Sequence, residues 1–286
     1  MTRAASKQAA SKRVASKRVA PAASDGLVLT VDVGNTHTVL GVFSGAEVQD
    51  HFRLTSTIPR TGDELRPLVE ALIAPFADGL RRSQRSILAS VVPSLTPAWE
   101  ALVLRLLGAP PIVVSPRLDL GVALDVPDPD SVGADRVANS VAAAAFHRLP
   151  AIVVDLGTTT NFDVVLDRPP RYVGGAIALG ILTSSEELFR RGARLAKVEI
   201  RRPAAALGKT TQECLQSGVF FGAVGQIDGL VARISKELRI KPTVIATGGL
   251  AEAIARDSAT ITAVDPTLTL RGLAVIEARV RGRRLG

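Results

Sequence analysis

From residue 27 onward the apolar residues fall into short runs of two kinds. Leu27–Val33 and Thr38–Phe43 are compact aliphatic runs joined through Gly34-Asn35-Thr36, which predicts an antiparallel hairpin. Gly45 turns the chain into a third predicted strand, Val48–Leu54. Spacing then changes: Leu65, Leu68, Val69, Leu72 and Ile73 recur at helical intervals within Thr61–Ala77, behind a capped acidic entrance, Thr61-Gly62-Asp63-Glu64. Ser86–Val92 is a strand-like run closed by Pro93, Pro97–Leu107 a helix ending at Gly108, and Ile112–Val114 a short strand. The Pro- and Asp-rich stretch from Pro116 to Ser131 reads as a loop, leading to an Ala-rich helix over Val132–Arg148 stopped by Pro150.

The second half starts over. Ala151–Asp155 and Asn161–Leu166 predict another hairpin, followed by a turn at Asp167–Pro170 and a strand, Tyr172–Ile177, broken at Gly174-Gly175. Helices are predicted over Leu182–Leu195, Gln212–Leu238, Ala251–Arg256 and Leu268–Arg279, with a buried strand at Thr243–Ala246. Gly218, Gly222, Gly225 and Gly229 line the long helix Gln212–Leu238, a spacing that suits close packing within the chain or a dimer contact. Each half thus opens with a strand–turn–strand unit and adds further strands and helices, the plan of a two-domain α/β protein with a central cleft. The division is residues 1–26 as a disordered basic tail, 27–132 as the first domain, 133–150 as a linking helix, and 151–286 as the second domain.

The repetition is sharpest where the first strand of each half ends. Val31-Asp32-Val33-Gly34-Asn35-Thr36 and Val154-Asp155-Leu156-Gly157-Thr158-Thr159 are both aliphatic strands running into Asp-x-Gly and then hydroxyl or amide side chains. A carboxylate beside such a turn can hold hydrated Mg²⁺, while freed backbone N–H groups and hydroxyls can hold phosphate oxygens. Two such loops fit two halves gripping one nucleotide. A third element, Thr247-Gly248-Gly249, precedes a helix and lets backbone approach a nucleotide. Neither G-x-x-x-x-G-K-[ST] nor a G-x-G-x-x-G in the right setting occurs, so neither the P-loop nor the dinucleotide-binding reading is supported. Asp135, in Gly133-Ala134-Asp135-Arg136 at a helix start, is the candidate general base, and Arg136 a cation that could orient an anionic substrate.

Composition narrows the classes. A single cysteine, Cys214, excludes an intrachain disulfide and a cysteine-based zinc site, and fits a reducing, cytoplasmic setting. His37, His51 and His147 are the only histidines and have no metal-binding spacing. No apolar run is read as approaching the roughly 20 residues of a bilayer span, so no membrane association is expected. The formal net charge of +8 is concentrated: residues 1–26 hold Arg3, Lys7, Lys12, Arg13, Lys17 and Arg18 against Asp25. That tail repeats an Ala-Ser-Lys unit and lacks apolar mass, so it reads as a solvated extension; weak contact with nucleic acid is the less favoured alternative.

Taken together these segments resemble the type III pantothenate kinase family, of the acetate/sugar kinase–Hsp70–actin superfamily. The resemblance runs from about Leu27 to Ala278 through Asp32–Thr36, Ser90-Val91-Val92-Pro93, Gly133–Arg136, Val154–Thr158, Tyr172-Val173-Gly174-Gly175, Gly208-Lys209-Thr210-Thr211, Gln216-Ser217-Gly218 and Ala246–Leu250. It implies two actin-like (ribonuclease H-like) α/β domains with an interdomain nucleotide cleft, and ATP-dependent phosphorylation of pantothenate, the first step toward coenzyme A. By the same resemblance Asp32, Val33, Gly34, Asn35, Thr36, His37, Thr38, Val39 and Thr158 would contact ATP. Asp32 would meet its Mg²⁺, and Asp155 would hold a monovalent cation, K⁺ or NH₄⁺. Gly133, Ala134, Asp135 and Arg136 would bind pantothenate with Asp135 as proton acceptor. Thr211 would complete the pocket of the partner subunit in a homodimer. Departures from the family pattern are Val126 where some members have an aromatic, Asp128 for Asn, Thr159 for Ala, Asn161 for Thr, and Leu179 for Pro. A regulator of the same fold that senses ATP or pantothenate is the alternative, as is a kinase or phosphatase with another substrate; a sensor has no need of Asp135 beside both loops.

Overall fold

A computed structural model describes residues 26–58, 60–191 and 199–283. The basic tail, residues 1–25, and the predicted helical residues up to Leu195 beyond 191 lie outside the described residues.

Two sheets are built on one plan. In the first, β1 (Leu27–Val33), β2 (His37–Ser44) and β3 (Glu47–Thr55) form an antiparallel meander, and β4 (Arg85–Ser90) and β5 (Ile112–Val113) add in parallel, giving the order β3-β2-β1-β4-β5. The short strand β6 (Ala123–Leu124) precedes the second sheet. There β7 (Ala151–Leu156), β8 (Thr159–Leu166) and β9 (Arg171–Leu179) form the meander, and β10 (Thr243–Thr247) and β11 (Ala263–Val264) follow in parallel. Its order is β11-β10-β7-β8-β9-β6, the first sheet's plan plus one edge strand.

Helices cover both faces of each sheet. α1 (Gly62–Ile73), α2 (Ala77–Ser83) and α3 (Thr96–Leu107) pack on the outer face of the first, around Leu29, Val31, Trp99 and Leu102. Thr61 opens α1 with the expected capping box, its hydroxyl accepting from the Glu64 N–H. α5 (Ile181–Arg191), α6 (Thr211–Leu238) and α7 (Ala251–Ala255) pack on the outer face of the second, around Ile152, Val154, Phe162 and Phe220. Between the sheets lie α4 (Ala134–Phe146) and α8 (Leu268–Val280), whose shared core draws Val28 and Ile87 from one sheet and Val153 and Ile245 from the other.

The α4–α8 crossing is tight. A Cβ at Gly272 would lie 1.9 Å from the Ala138 carbonyl oxygen, so only glycine permits this approach. α8 also ties the C-terminal segment to the first sheet through a buried ion pair, with Arg85 Nε 3.0 Å from Glu277 Oε1.

Several elements differ from the sequence reading. The helix expected over Thr61–Ala77 stops at Ile73, where Pro75 accompanies a single 3₁₀ turn at Ala74–Phe76 before α2 begins. The Pro116–Ser131 loop contains β6, which pairs in parallel with β9 through Ala123↔Arg171 and Leu124↔Tyr172. The strand expected to break at Gly174-Gly175 continues to Leu179, absorbing the glycines in a register shift opposite Asp163 to Val165. α6 is also, by length and composition alone, long and apolar enough to cross a membrane, contrary to the expectation that no such run exists. Here its inner face packs into the second domain through Phe220, Val224, Ile227 and Val231. Mid-helix, Asp228 accepts hydrogen bonds from the Ala259 and Thr260 backbone and from the Ser258 and Thr260 hydroxyls.

Candidate active site

Strand alternation decides where the two repeated aspartates point. In β1, Leu27, Leu29, Val31 and Val33 feed the outer core, so Asp32 shares the opposite face with Val28 and Thr30. In β7, Ile152, Val154 and Leu156 feed the outer core and Asp155 shares the inner face with Ala151 and Val153. Both carboxylates therefore look into the space between the sheets. The turns beyond them are built alike: the Gly34 N–H donates to the His37 carbonyl at 3.0 Å, and the Gly157 N–H to the Thr159 carbonyl at 3.0 Å. The loops meet across the cleft, with Thr36 Oγ1 2.7 Å from Thr158 Oγ1.

Asp155 is anchored from behind. Asn139 on α4 donates from Nδ2 to Asp155 Oδ2 at 3.1 Å, and the Thr269 hydroxyl on α8 donates to Asn139 Oδ1 at 2.8 Å. The Thr247-Gly248-Gly249 loop lies directly against it. Gly248 has φ +91°, and a Cβ there would lie 2.6 Å from the Leu156 carbonyl oxygen and 2.9 Å from Asp155 Oδ1. Both the left-handed backbone and the close approach require glycine. On the far side of this loop a Cβ at Gly249 would lie 3.5 Å from Arg53 Nη1, so Arg53 of β3 reaches across from the first domain.

α4 brings Asp135 and Arg136 to the same cleft from its first turn. Asp135 Oδ1 accepts from the Arg136 N–H at 2.8 Å. Arg136 does not make the surface pair that a first-turn Asp-Arg usually makes. Its Nε donates to Asp163 Oδ1 at 2.7 Å, on a side chain with no solvent exposure, and its guanidinium lies 5.6 Å from the Tyr172 ring centroid.

Four carboxylates thus share one confined region, and their acidities show it. Burial pushes Asp32 well above the ordinary carboxylate value, and the charges of Asp135 and Asp155 push it further. Burial raises Asp155 to about 6, reinforced by Asp135 and opposed by the Asn139 hydrogen bond. Asp163 is pushed up to about 7 by burial against the pull of Arg136. Asp135 is also raised by burial, with the Arg136 N–H and charge opposing. His37 moves the other way, lowered by burial and then by the positive charge of Arg53. Crowded carboxylates of raised pKa mark a site arranged to receive cations or protons.

The structure therefore brings Asp32, Thr36, Asp135, Arg136, Asp155 and Thr158 to one cleft. Thr211 is not among them: it is exposed at the start of α6 and lines a separate groove of about 470 Å³ with Leu179, Ile181 and Leu188. Gly218 and Gly222 line the same groove, and no neighbour lies within 4 Å of a Cβ at Gly218, Gly222, Gly225 or Gly229 among the described residues. Among the described residues nothing packs closely on that stripe. Two departures from the family pattern answer each other, since the Thr159 hydroxyl donates to Asn161 Oδ1 at 2.9 Å. Val126 packs against the central core, and the Asp128 carbonyl accepts from the Ser131 hydroxyl at 2.7 Å. Leu179, 71% exposed, sits in the groove.

Sequence reasoning passed over Asp163, Asn139 and Arg53, and met Tyr172 only as part of a family motif, with no role of its own. Asp163 carried a usable signal, a lone carboxylate inside the apolar strand Phe162-Asp163-Val164-Val165. Asn139 within an Ala-rich helix carried a weaker one. Arg53, on an exposed position of β3, carried none.

Comparisons with known proteins place the chain in a family. A family model described as type III pantothenate kinase matches residues 28–233. The type III pantothenate kinase of Moorella thermoacetica is 41% identical over 253 residues, covering 88% of this chain and 99% of its own. That of Streptomyces griseus is 43% identical over 264 residues, covering 88% and 98%. That of Geobacter sulfurreducens is 42% identical over 255 residues, covering 89% and 100%. Among solved structures, a Baf family protein from Campylobacter jejuni superposes with a TM-score of 0.55 at 18% identity, covering 89% of this chain and 99% of that one. An activator of 2-hydroxyisocaproyl-CoA dehydratase from Clostridium difficile, with bound ADPNP, gives 0.51 at 10% identity, covering 90% and 96%. These two likenesses concern the fold, which is the actin-like one of two α/β domains. On this sequence evidence the chain belongs to the type III pantothenate kinase family, and it phosphorylates pantothenate with ATP in coenzyme A biosynthesis.

Proposed function

We propose that transfer takes place where the two Asp-x-Gly loops meet, with Asp135 as the base. The observation that carries this reading is the convergence of Asp32, Asp155 and Asp135 on one cleft, with Thr36 and Thr158 in contact across it. Asp32 through Val39 and Thr158 hold the ATP phosphates by backbone N–H groups and hydroxyls. Gly133, Ala134, Asp135 and Arg136 hold pantothenate. Asp135 accepts the proton of the substrate's primary hydroxyl as its oxygen bonds to the γ-phosphorus, and the bond to the β-phosphate oxygen breaks to release ADP. The raised pKa of Asp135 moves the base toward working pH, which favours both accepting and later releasing the proton.

The residues suit a divalent cation. Among the described residues no donor hydrogen-bonds to the Asp32 carboxylate, and its raised pKa marks a group short of positive partners. No three His, Cys, Asp or Glu side chains among the described residues form a metal site. This agrees with Mg²⁺ held by one carboxylate together with phosphates and waters. When bound, Mg²⁺ would neutralise charge on the β- and γ-phosphates. Asp155 Oδ1 and the Leu156 carbonyl, both turned toward Gly248, offer oxygen donors suited to K⁺ or NH₄⁺.

The open glycine stripe and its groove support a homodimer in which Thr211 completes the partner's pantothenate pocket. Residence in the cytoplasm, without a membrane, belongs to the same reading. The test is a coupled assay with ATP, Mg²⁺, K⁺ and pantothenate, with K⁺ replaced by Na⁺ in a parallel series. Turnover that depends on pantothenate and on K⁺ is expected; turnover indifferent to the monovalent cation removes Asp155 from that role.

A further inference from the structure

Arg136 is held in an unusual way. Its guanidinium carries five N–H donors, and only Nε is used, on Asp163 Oδ1. Among the described residues neither Nη group has an acceptor. The central carbon of the guanidinium lies over the Tyr172 ring. Asp163 itself is completely buried, and its second oxygen, Oδ2, takes no hydrogen bond. A buried aspartate in an apolar strand with one oxygen left unpaired is a poor stabiliser of the fold. The neighbouring backbone is also specialised: Asp163 pairs with Gly175 exactly where the β8–β9 register shifts, so a local irregularity sets the direction of this strand position.

We infer that Asp163 is a positioning residue for substrate recognition: with Tyr172 it locks the Arg136 guanidinium so that its free Nη edge meets the carboxylate of pantothenate. This rests on the assignment of Gly133–Arg136 to pantothenate and adds the residue that orients it. A guanidinium fixed from behind keeps a planar pair of N–H donors for a bidentate carboxylate, the arrangement that gains most from pre-organisation. The next carboxylate whose charge Arg136 senses is Asp135, the proposed base. By holding Arg136 on its own side, Asp163 also keeps the cation from settling on Asp135.

The test is a double-mutant cycle of Asp163→Asn and Arg136→Lys, read by calorimetric binding of pantothenate and of its carboxamide, pantothenamide, to the full-length protein. Asp163→Asn retains the shape and an acceptor for Nε, and the melting temperature of each variant checks folding. Asp163→Asn is expected to weaken pantothenate binding at least tenfold while leaving pantothenamide within about twofold, so discrimination between the two shrinks. In the Arg136→Lys background the same change should have almost no further effect, and Asp163→Glu should restore part of the loss. Equal weakening of both ligands, or losses that simply add, would overturn the inference. Wild-type protein that binds no pantothenate would overturn both this inference and the substrate assignment beneath it.

Discussion

The crossing of α4 and α8 gives a prediction in which packing reaches the site. In Gly272→Ala the new methyl would start 1.9 Å from the Ala138 carbonyl oxygen. Ordinary contact is about 3.5 Å, so the helices must part by roughly 1.5 Å. Two effects compete. Alanine improves helix propensity by about 1 kcal/mol over glycine. Overpacking costs about 1–3 kcal/mol or more, and a backbone carbonyl cannot step aside as a side chain can. The separation also strains the Thr269–Asn139 hydrogen bond, 2.8 Å long, worth about 1 kcal/mol more. The net is destabilisation by about 1–3 kcal/mol, or a melting temperature lower by about 2–12 °C. Function should follow the same path, because Asn139 lowers the Asp155 pKa. A loosened Asn139 leaves Asp155 harder to ionise, so half-maximal activation should need more K⁺. Thermal melts and a K⁺ titration of turnover measure both. A melting temperature unchanged or raised would refute the steric argument.

Removing charge from the interior is expected to be costly elsewhere too. Glu277→Ala takes from Arg85 its buried carboxylate partner and should lower stability by about 3–5 kcal/mol in urea unfolding; a loss under about 1 kcal/mol would contradict that role. Asp163, at about 7 in the folded chain against 3.8 unfolded, binds more protons when folded, so its contribution is present at low pH and lost as pH rises toward and through 7. Cation-free protein should therefore melt at a lower temperature at pH 8 than at pH 5.5, with a smaller difference in Asp163→Asn. Gly222 faces open space, so Gly222→Phe should fold as an isolated chain yet fail to dimerise in sedimentation, with pantothenate turnover falling more than tenfold; a retained dimer would remove that face from the interface.

Much of this was readable in the sequence because it is local. The paired hairpins, the Asp-x-Gly turns and the capped start of α1 depend on residues a few positions apart, and each appears where turn chemistry and periodicity place it. What escaped is long-range. β6 is two residues whose partner, β9, lies in the other half of the chain, so no local pattern announces it. α8 looks like any amphipathic terminal helix, and only the fold reveals that Glu277 reaches Arg85 in the first sheet. Within the site, Asp135 was visible as part of a motif, whereas Asn139 and Asp163 act through side chains that meet only after α4 is laid across β7 and β8. The glycine stripe of α6 was legible as a packing surface, but its openness was not.

The central claim is that the two loops and the first turn of α4 form one phosphoryl-transfer site with Asp135 as its base. The most direct measurement is steady-state turnover of Asp135→Asn beside wild type, with nucleotide affinity measured on the same preparations. The account predicts a fall in kcat of about 10²–10⁴ with ATP affinity within about threefold. Turnover at the wild-type rate in Asp135→Asn would contradict it.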